Sequence, residues 1–168
     1  MKKVYNIDLS AQGIKELQDG LKEYKQWLKE KSDELCKRLA DMGAVKASLY
    51  FSRAVYTGPE DHEISVLPVD GGYKVRADGE TVLFVEFGTG LIGYGHPDAH
   101  GLGPGTYPGE GHWNDPRGWW LPKDKQGRGR TEDPSRHTYG NPPNMPMYNT
   151  VKELEMELER VVKEVFAL

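Results

Sequence analysis

The sequence predicts an α+β fold: a small antiparallel sheet packed by long N-terminal and C-terminal helices, with a long Gly/Pro/aromatic loop inserted before the last helix. Two observations set the class. Apolar residues recur at helical spacing near both ends of the chain, and short β-branched runs separated by turn residues lie between them. A third observation sets the insertion. Thirteen of the twenty glycines, nine of the eleven prolines and three of the four tryptophans fall between Phe87 and Tyr148. Pro lacks the N–H that helix and sheet ladders need, and Gly loses the most entropy on ordering, so residues 88–148 read as loop. The order helix, strands, insertion, helix suits a layer in which both helices cover one sheet face.

The elements follow in order. Leu9 to Met42 reads as a long amphipathic helix, because Ile14, Leu17, Leu21, Tyr24, Leu28, Leu35 and Met42 lie three, four or seven apart. Ser10 suits its N-cap, with Leu9 and Ile14 as a hydrophobic staple, and Gly43 sits where a left-handed residue would end it. Gly13 and Gly20 each weaken the first turns by roughly 1 kcal/mol relative to Ala, and Lys31 and Arg38 interrupt the stripe. Val45 to Val55, Glu63 to Val69 and Gly72 to Ala77 then read as three strands of an antiparallel meander. Asp70-Gly71-Gly72 is a hairpin signal, and Pro68 belongs at a strand end or sheet edge. Thr81 to Phe87 suits either two turns of helix, capped by Asp78 and ended by Gly88, or a fourth strand; helix is the preferred reading. Thr150-Val151-Lys152-Glu153 has the capping-box pattern for a last helix reaching about Phe166.

Composition bounds the function. The chain of 168 residues reads as one domain, 1–168, and its hydrophobic fraction of 37% is low enough that burial between subunits would supplement the core. A net charge of -4 argues against a dedicated nucleic-acid binder or an anionic-membrane binder. A single cysteine, Cys36, leaves no internal disulfide and fits a reducing compartment. Met1 to Asn6 turns polar quickly, so no signal peptide is expected, and no apolar run reaches membrane-spanning length.

Several constellations bear on chemistry. Disordered segments are poor in aromatics, whereas the insertion carries many, so it is expected to be ordered against a neighbouring protein. Trp113, Trp119, Trp120 and Tyr139 are the candidate contacts, since large rigid side chains tend to dominate interface energy. Lys123, Lys125, Arg128 and Arg130 suit either a solvated loop tip or a contact with DNA phosphates or an acidic partner. His96 and His100, four apart, invite a metal reading, with His112 and His137 nearby. Pro97 and Gly101 make the helix such a pair needs unlikely, so neither metal nor cofactor is expected. Glu86, the one charge in an apolar run, suits a general acid if burial raises its pKa. The preferred reading is a structural carboxylate satisfied by backbone N–H groups of the following Gly88-Thr89-Gly90 turn. That turn lacks the lysine and the following helix of a phosphate-binding loop. Cys36 has no paired histidine that would make it a nucleophile.

The segment Val85-Glu86-Phe87-Gly88-Thr89-Gly90, together with His137-Thr138-Tyr139-Gly140 and Met145-Pro146-Met147-Tyr148 at the exit from the insertion, resembles a phage family. It is that of the neck and tail-completion proteins, also called head-tail joining or minor tail proteins, of long-tailed double-stranded DNA phages and prophages. The resemblance covers nearly the whole chain in order of elements, while the insert from His96 to Arg136 departs from shorter relatives. It implies a non-enzymatic virion protein, assembled in the host cytoplasm. Its partners would be copies of itself in a ring and adjacent head-closure, tail-terminator or tail-tube proteins, with transient DNA contact. Glu86, Phe87, Gly88, Thr89 and Gly90 would then be structural. The alternative is a metal-dependent hydrolase of phage or prophage origin using His96, His100 and Glu86.

Overall fold

A 42-residue helix, α1 (Ala11–Ser52), is the spine on which the other elements lie. The computed structural model describes residues 8, 10–56, 61–90, 115, 117–120 and 137–166. After α1 come a hairpin of β1 (Glu63–Val69) and β2 (Gly72–Asp78), the short helix α2 (Val82–Phe87), the two-residue strands β3 (Trp119–Trp120), β4 (His137–Thr138) and β5 (Gly140–Asn141), and the last helix, α3 (Pro146–Phe166). The α+β class holds. The described strands form two small antiparallel sheets, β1–β2 and β3–β4.

Ser10 caps α1 as expected, its hydroxyl accepting from the Gly13 N–H at 3.2 Å. The expected stop at Gly43 is wrong, and so is the strand over Val45 to Val55: α1 runs straight through both to Ser52. Glycine is there for space. A Cβ on Gly43 would sit 3.2 Å from Leu154 Cδ1 of α3 and 3.2 Å from Val75 Cγ2 of β2, so its absence lets helix and sheet meet over the spine. The buried residues Ala40, Gly43, Ala47 and Phe51 repeat at three and four, a helical period that the β-branched content of Val45 and Val55 masks. Those two valines are exposed. Tertiary packing overrides strand propensity here, and the meander reduces to one hairpin.

β1 and β2 pair antiparallel from Glu63↔Asp78 to Val69↔Gly72, leaving Asp70-Gly71 as the turn. Gly71 alone has positive φ there, 79°, as the third position of a type II turn requires. Pro68 lies in β1, whose described pairing is to β2 alone, so it blunts the sheet edge against further pairing.

α3 crosses α1 with polar ties on both sides of Gly43. The Glu153 carboxylate accepts from the Lys46 ammonium and the Tyr50 hydroxyl, and Arg38 pairs with Glu164. The Lys46 and Tyr50 hydrogen bonds hold the Glu153 carboxyl below its usual range. Thr150, expected as the cap of this helix, lies one turn inside it, buried, with its hydroxyl donating to Pro146 O at 2.8 Å. The helix begins at Pro146, a residue whose fixed φ suits a first turn and whose missing N–H would have no partner there.

α2 forms as preferred over a strand, but Asp78 does not cap it. Asp61 instead holds the residues that lead into it: its carboxylate accepts from the N–H groups of Glu80 at 2.7 Å and Thr81 at 3.1 Å, and from the Thr81 hydroxyl. Partial burial opposes ionisation, yet these hydrogen bonds outweigh it and hold the Asp61 carboxyl below 3.8. Burial, and then the Asp61 charge, pushes the neighbouring Tyr56 phenol up. Val82 and Val85 pack with Phe51 as a small core, against Ile64, Ala77 and Met147.

Two outcomes follow. Gly43→Val should lower unfolding stability by about 2 kcal/mol through overpacking at the crossing, read from urea denaturation; a neutral result would mean the crossing is loose. Asp61 has a depressed pKa, so its contribution is present at neutral pH and is lost as pH falls through 3.8 and below. The acid-side decline in urea midpoint should therefore be shallower in Asp61→Asn than in the wild type, which starts higher.

Candidate functional site

The two ends of the insertion are tied together beside the N-terminus of α3, and the tie begins with Glu86. α2 is buried along Val82, Val85 and Glu86, which carries the carboxylate inward. Its two oxygens accept from the backbone N–H of Met147 at 2.9 Å and of Tyr148 at 3.1 Å, 61 and 62 residues on. These belong to the first turn of α3, whose N–H groups have no acceptor within the helix. The helix dipole adds to the attraction. Sequence reading expected a carboxylate satisfied by the N–H groups of the Gly88-Thr89-Gly90 turn; the structure shows it accepting from the first turn of α3.

Backbone bonds extend the tie. Asn144 N–H donates to Val85 O at 2.9 Å and Met145 N–H to Glu86 O at 3.3 Å. The Asn144 side chain grips Val55 from both sides, its Oδ1 accepting from Val55 N–H at 2.7 Å and its Nδ2 donating to Val55 O at 3.1 Å. One asparagine thus joins the exit of α1, the end of α2 and the approach to α3. Met145 is held between these bonds at φ 53°, a left-handed conformation that costs a non-glycine residue roughly 1–2 kcal/mol.

A turn further out, Thr89 and Gly90 bridge antiparallel to Asn141 and Gly140. The Thr89 hydroxyl accepts from Asn141 N–H at 3.2 Å. Both glycines are obligatory. A Cβ on Gly140, at φ 117°, would lie 1.8 Å from Thr89 O, and one on Gly90, at φ 62°, 2.4 Å from Tyr139 O. The Phe87–Gly90 and Gly140–Asn141 segments therefore form a narrow neck at the base of the insertion.

Against this neck lies an aromatic group. β3 pairs with β4 through Trp119↔Thr138 and Trp120↔His137. Successive strand residues face opposite ways, and the two tryptophans divide accordingly. The Trp119 ring reaches Gly90, where a Cβ would stand 2.8 Å from its Cζ3. Trp120 meets His137 edge-on at 4.8 Å between centroids, and His137 meets Tyr139 edge-on at 5.0 Å. Tyr139 is 51% exposed. The turn leading into β3 is fixed by Asp115, which accepts from the Arg117 guanidinium at 2.8 and 3.0 Å and from the Arg117 N–H at 2.9 Å. Those hydrogen bonds lower the Asp115 pKa to about 2.

Of the residues singled out from sequence, Glu86 to Gly90 form the neck, and Trp119, Trp120 and Tyr139 converge beside it. Trp113, Lys123, Lys125, Arg128, Arg130, His96, His100 and His112 lie outside the described residues. His137 enters the aromatic group, a place that sequence reading missed; its signal was the two-residue spacing to Tyr139 on one strand face. Among the described residues, no group of three His, Cys, Asp or Glu side chains is arranged to hold a metal. Among them also, no helix is long and apolar enough to cross a membrane. Comparisons with protein-family models, curated proteins and solved structures give no match.

Replacing the carboxylate tests the neck. Glu86→Leu leaves two part-buried helix-terminal N–H groups without this acceptor and should lower stability by about 2 kcal/mol in urea denaturation, with Glu86→Gln losing less because it keeps one acceptor oxygen. Equal stability of all three proteins would remove Glu86 from the role assigned to it.

Proposed function

We propose that this chain is a structural assembly protein of the phage head-tail junction, forming or joining a ring that completes the tail and allows DNA to pass. The observation that carries the reading is the neck. Glu86, in the segment that resembles the neck and tail-completion family, serves architecture: its oxygens hold the start of α3. The same neck presents Trp120, His137 and Tyr139 together on one strand face. An aromatic group of this kind suits protein contact, in which a few large side chains supply most of the energy. The element order, with a long first helix, a small antiparallel sheet and a closing helix, agrees with the resemblance.

Two further features support the reading. The described core is small, with Phe51, Val82 and Val85 as its main cluster, which suits a subunit that buries more surface on assembly. The net charge of -4 suits a wall that lets DNA slide rather than one that grips it. Partners would be neighbouring copies, arranged head to tail as closed rings require, and an adjacent head-closure, tail-terminator or tail-tube protein. Lys123, Lys125, Arg128 and Arg130 would supply any transient DNA contact, and the site of action would be the virion. The hydrolase reading asks Glu86 to act as an acid or base, whereas both its oxygens face the N–H groups of α3.

Light scattering of the protein alone and mixed with the junction protein encoded beside it tests this proposal. The expected result is a ring, or a monomer that enters a complex only with its partner. Replacing Trp120 and Tyr139 together by Ala should weaken that complex at least tenfold while leaving the unfolding midpoint within a few degrees. A monomer that joins no neck or tail component, and that carries stoichiometric zinc and hydrolytic activity, would overturn it.

A further inference from the structure

The face of α1 that α3 covers does not end where α3 ends. At about 1.5 Å per residue, the 42 residues of α1 span roughly 63 Å and the 21 residues of α3 roughly half that. Trp27 meets Phe166, the last residue of α3, edge-on at 5.9 Å. From there α1 runs on toward Ala11 past the end of α3. The apolar stripe runs on with it: Ile14, Leu17, Leu21, Tyr24 and Leu28 keep an alternating three-four spacing, in register with the half-buried Leu35 and Met42 further along. Ile14 is 45% exposed, Leu21 50% and Leu28 42%. Such a stripe is the a/d seam of a coiled coil, left without a second helix among the described residues.

The charges on its two sides say what covers it. In the heptad that places Ile14, Leu21 and Leu28 at a, Lys15, Lys22 and Lys29 fall at b and Lys25 at e, all on one side of the seam. Glu16, Glu23 and Glu30 fall at c, on the other. An antiparallel copy would set lysine side against lysine side and glutamate side against glutamate side. A parallel copy sets each lysine side against a glutamate side. The bonds these residues make within the helix, such as Lys22 to Asp19 at 3.0 Å and Gln26 to Glu30 at 2.8 Å, are exposed and individually weak, so they leave the pattern intact.

We infer that the N-terminal half of α1, from Ile14 to Leu28, is a self-association surface that packs in parallel against the same segment of a second copy of this chain. Lys31 ends the seam, at the d position where α3 takes over, so the two bodies diverge there. The paired stretch is only about two heptads long, so the pairing is weak in isolation and salt-sensitive, and it gains strength when other contacts hold copies together. The parallel sense is also the one cyclic neighbours adopt when α1 lies along the symmetry axis. The inference does not depend on the phage reading, since it concerns the seam alone.

Cross-linking of the full chain in a Cys36→Ser background tests it. Parallel pairing puts position 14 of both copies in one layer, so Ile14→Cys should oxidise to a disulfide-linked dimer, and a mixture of Ile14→Cys with Leu28→Cys should give homodimers only. Sedimentation of the wild type should show mass rising with protein concentration and falling back with salt. Leu21→Glu should abolish both signals without changing helix content by circular dichroism, because the site is exposed. Preferential cross-linking of position 14 to position 28 would overturn the parallel sense. A constant monomer mass with no cross-link would overturn the surface itself.

Discussion

The carboxylate of Glu86 on the first turn of α3 is the contact on which the arrangement around the insertion depends. A helix start needs acceptors for its free N–H groups, and most find one in the residue just before them. Here the residue before Pro146 is Met145, which offers no side-chain oxygen, and the acceptor comes from 61 residues earlier in the chain. That choice couples α2 to α3. The Asn144 bonds to Val55 and Val85 then fix where α1 ends. The insertion leaves and re-enters through a gap that Thr89, Gly90, Gly140 and Asn141 close with backbone bridges. The closure entropy of a long loop grows only slowly with its length, so a firm neck lets the insertion vary without moving the helices.

Gly43 plays the corresponding part at the other crossing. The neck positions α3 along the chain, and the missing side chain at Gly43 sets how closely α3 and β2 approach α1. The Lys46, Tyr50 and Glu153 group beside it adds direction rather than much energy, since the ion pair in it still reaches solvent. The body is thus specified by two close contacts, one polar and one steric. The first half of α1 stands beyond both and keeps its apolar stripe for other company.

Much of this was legible in the sequence, and the failures have physical causes. Periodicity found α1 and α3, the Asp70-Gly71-Gly72 signal found the hairpin, and the residues flanking Thr81 to Phe87 tipped that run toward helix. It misplaced the end of α1, since a glycine after a helical stripe reads equally as a stop or as a place where another element approaches. Only the positions of Leu154 and Val75 decide between these. It misplaced the start of α3 because Thr150-Val151-Lys152-Glu153 imitates a capping box. Glu153 is instead spent on Lys46 and Tyr50, more than a hundred residues away in sequence. The isolation of Glu86 in an apolar run marked it as a carboxylate in need of donors, but not that those donors lie at the start of α3. Nor was the meeting of Trp120 with His137, because strand pairing across an insertion leaves no local mark.

Native-state hydrogen exchange at the amides of Met147 and Tyr148 tests the central claim most directly. First-turn N–H groups of an ordinary helix exchange readily, since they bond to water. If Glu86 holds them, both amides should exchange only with global unfolding, as slowly as those in the middle of α3, and should become fast when Glu86 is replaced. Rapid exchange of both in the wild type, with the rest of α3 protected, would contradict the account.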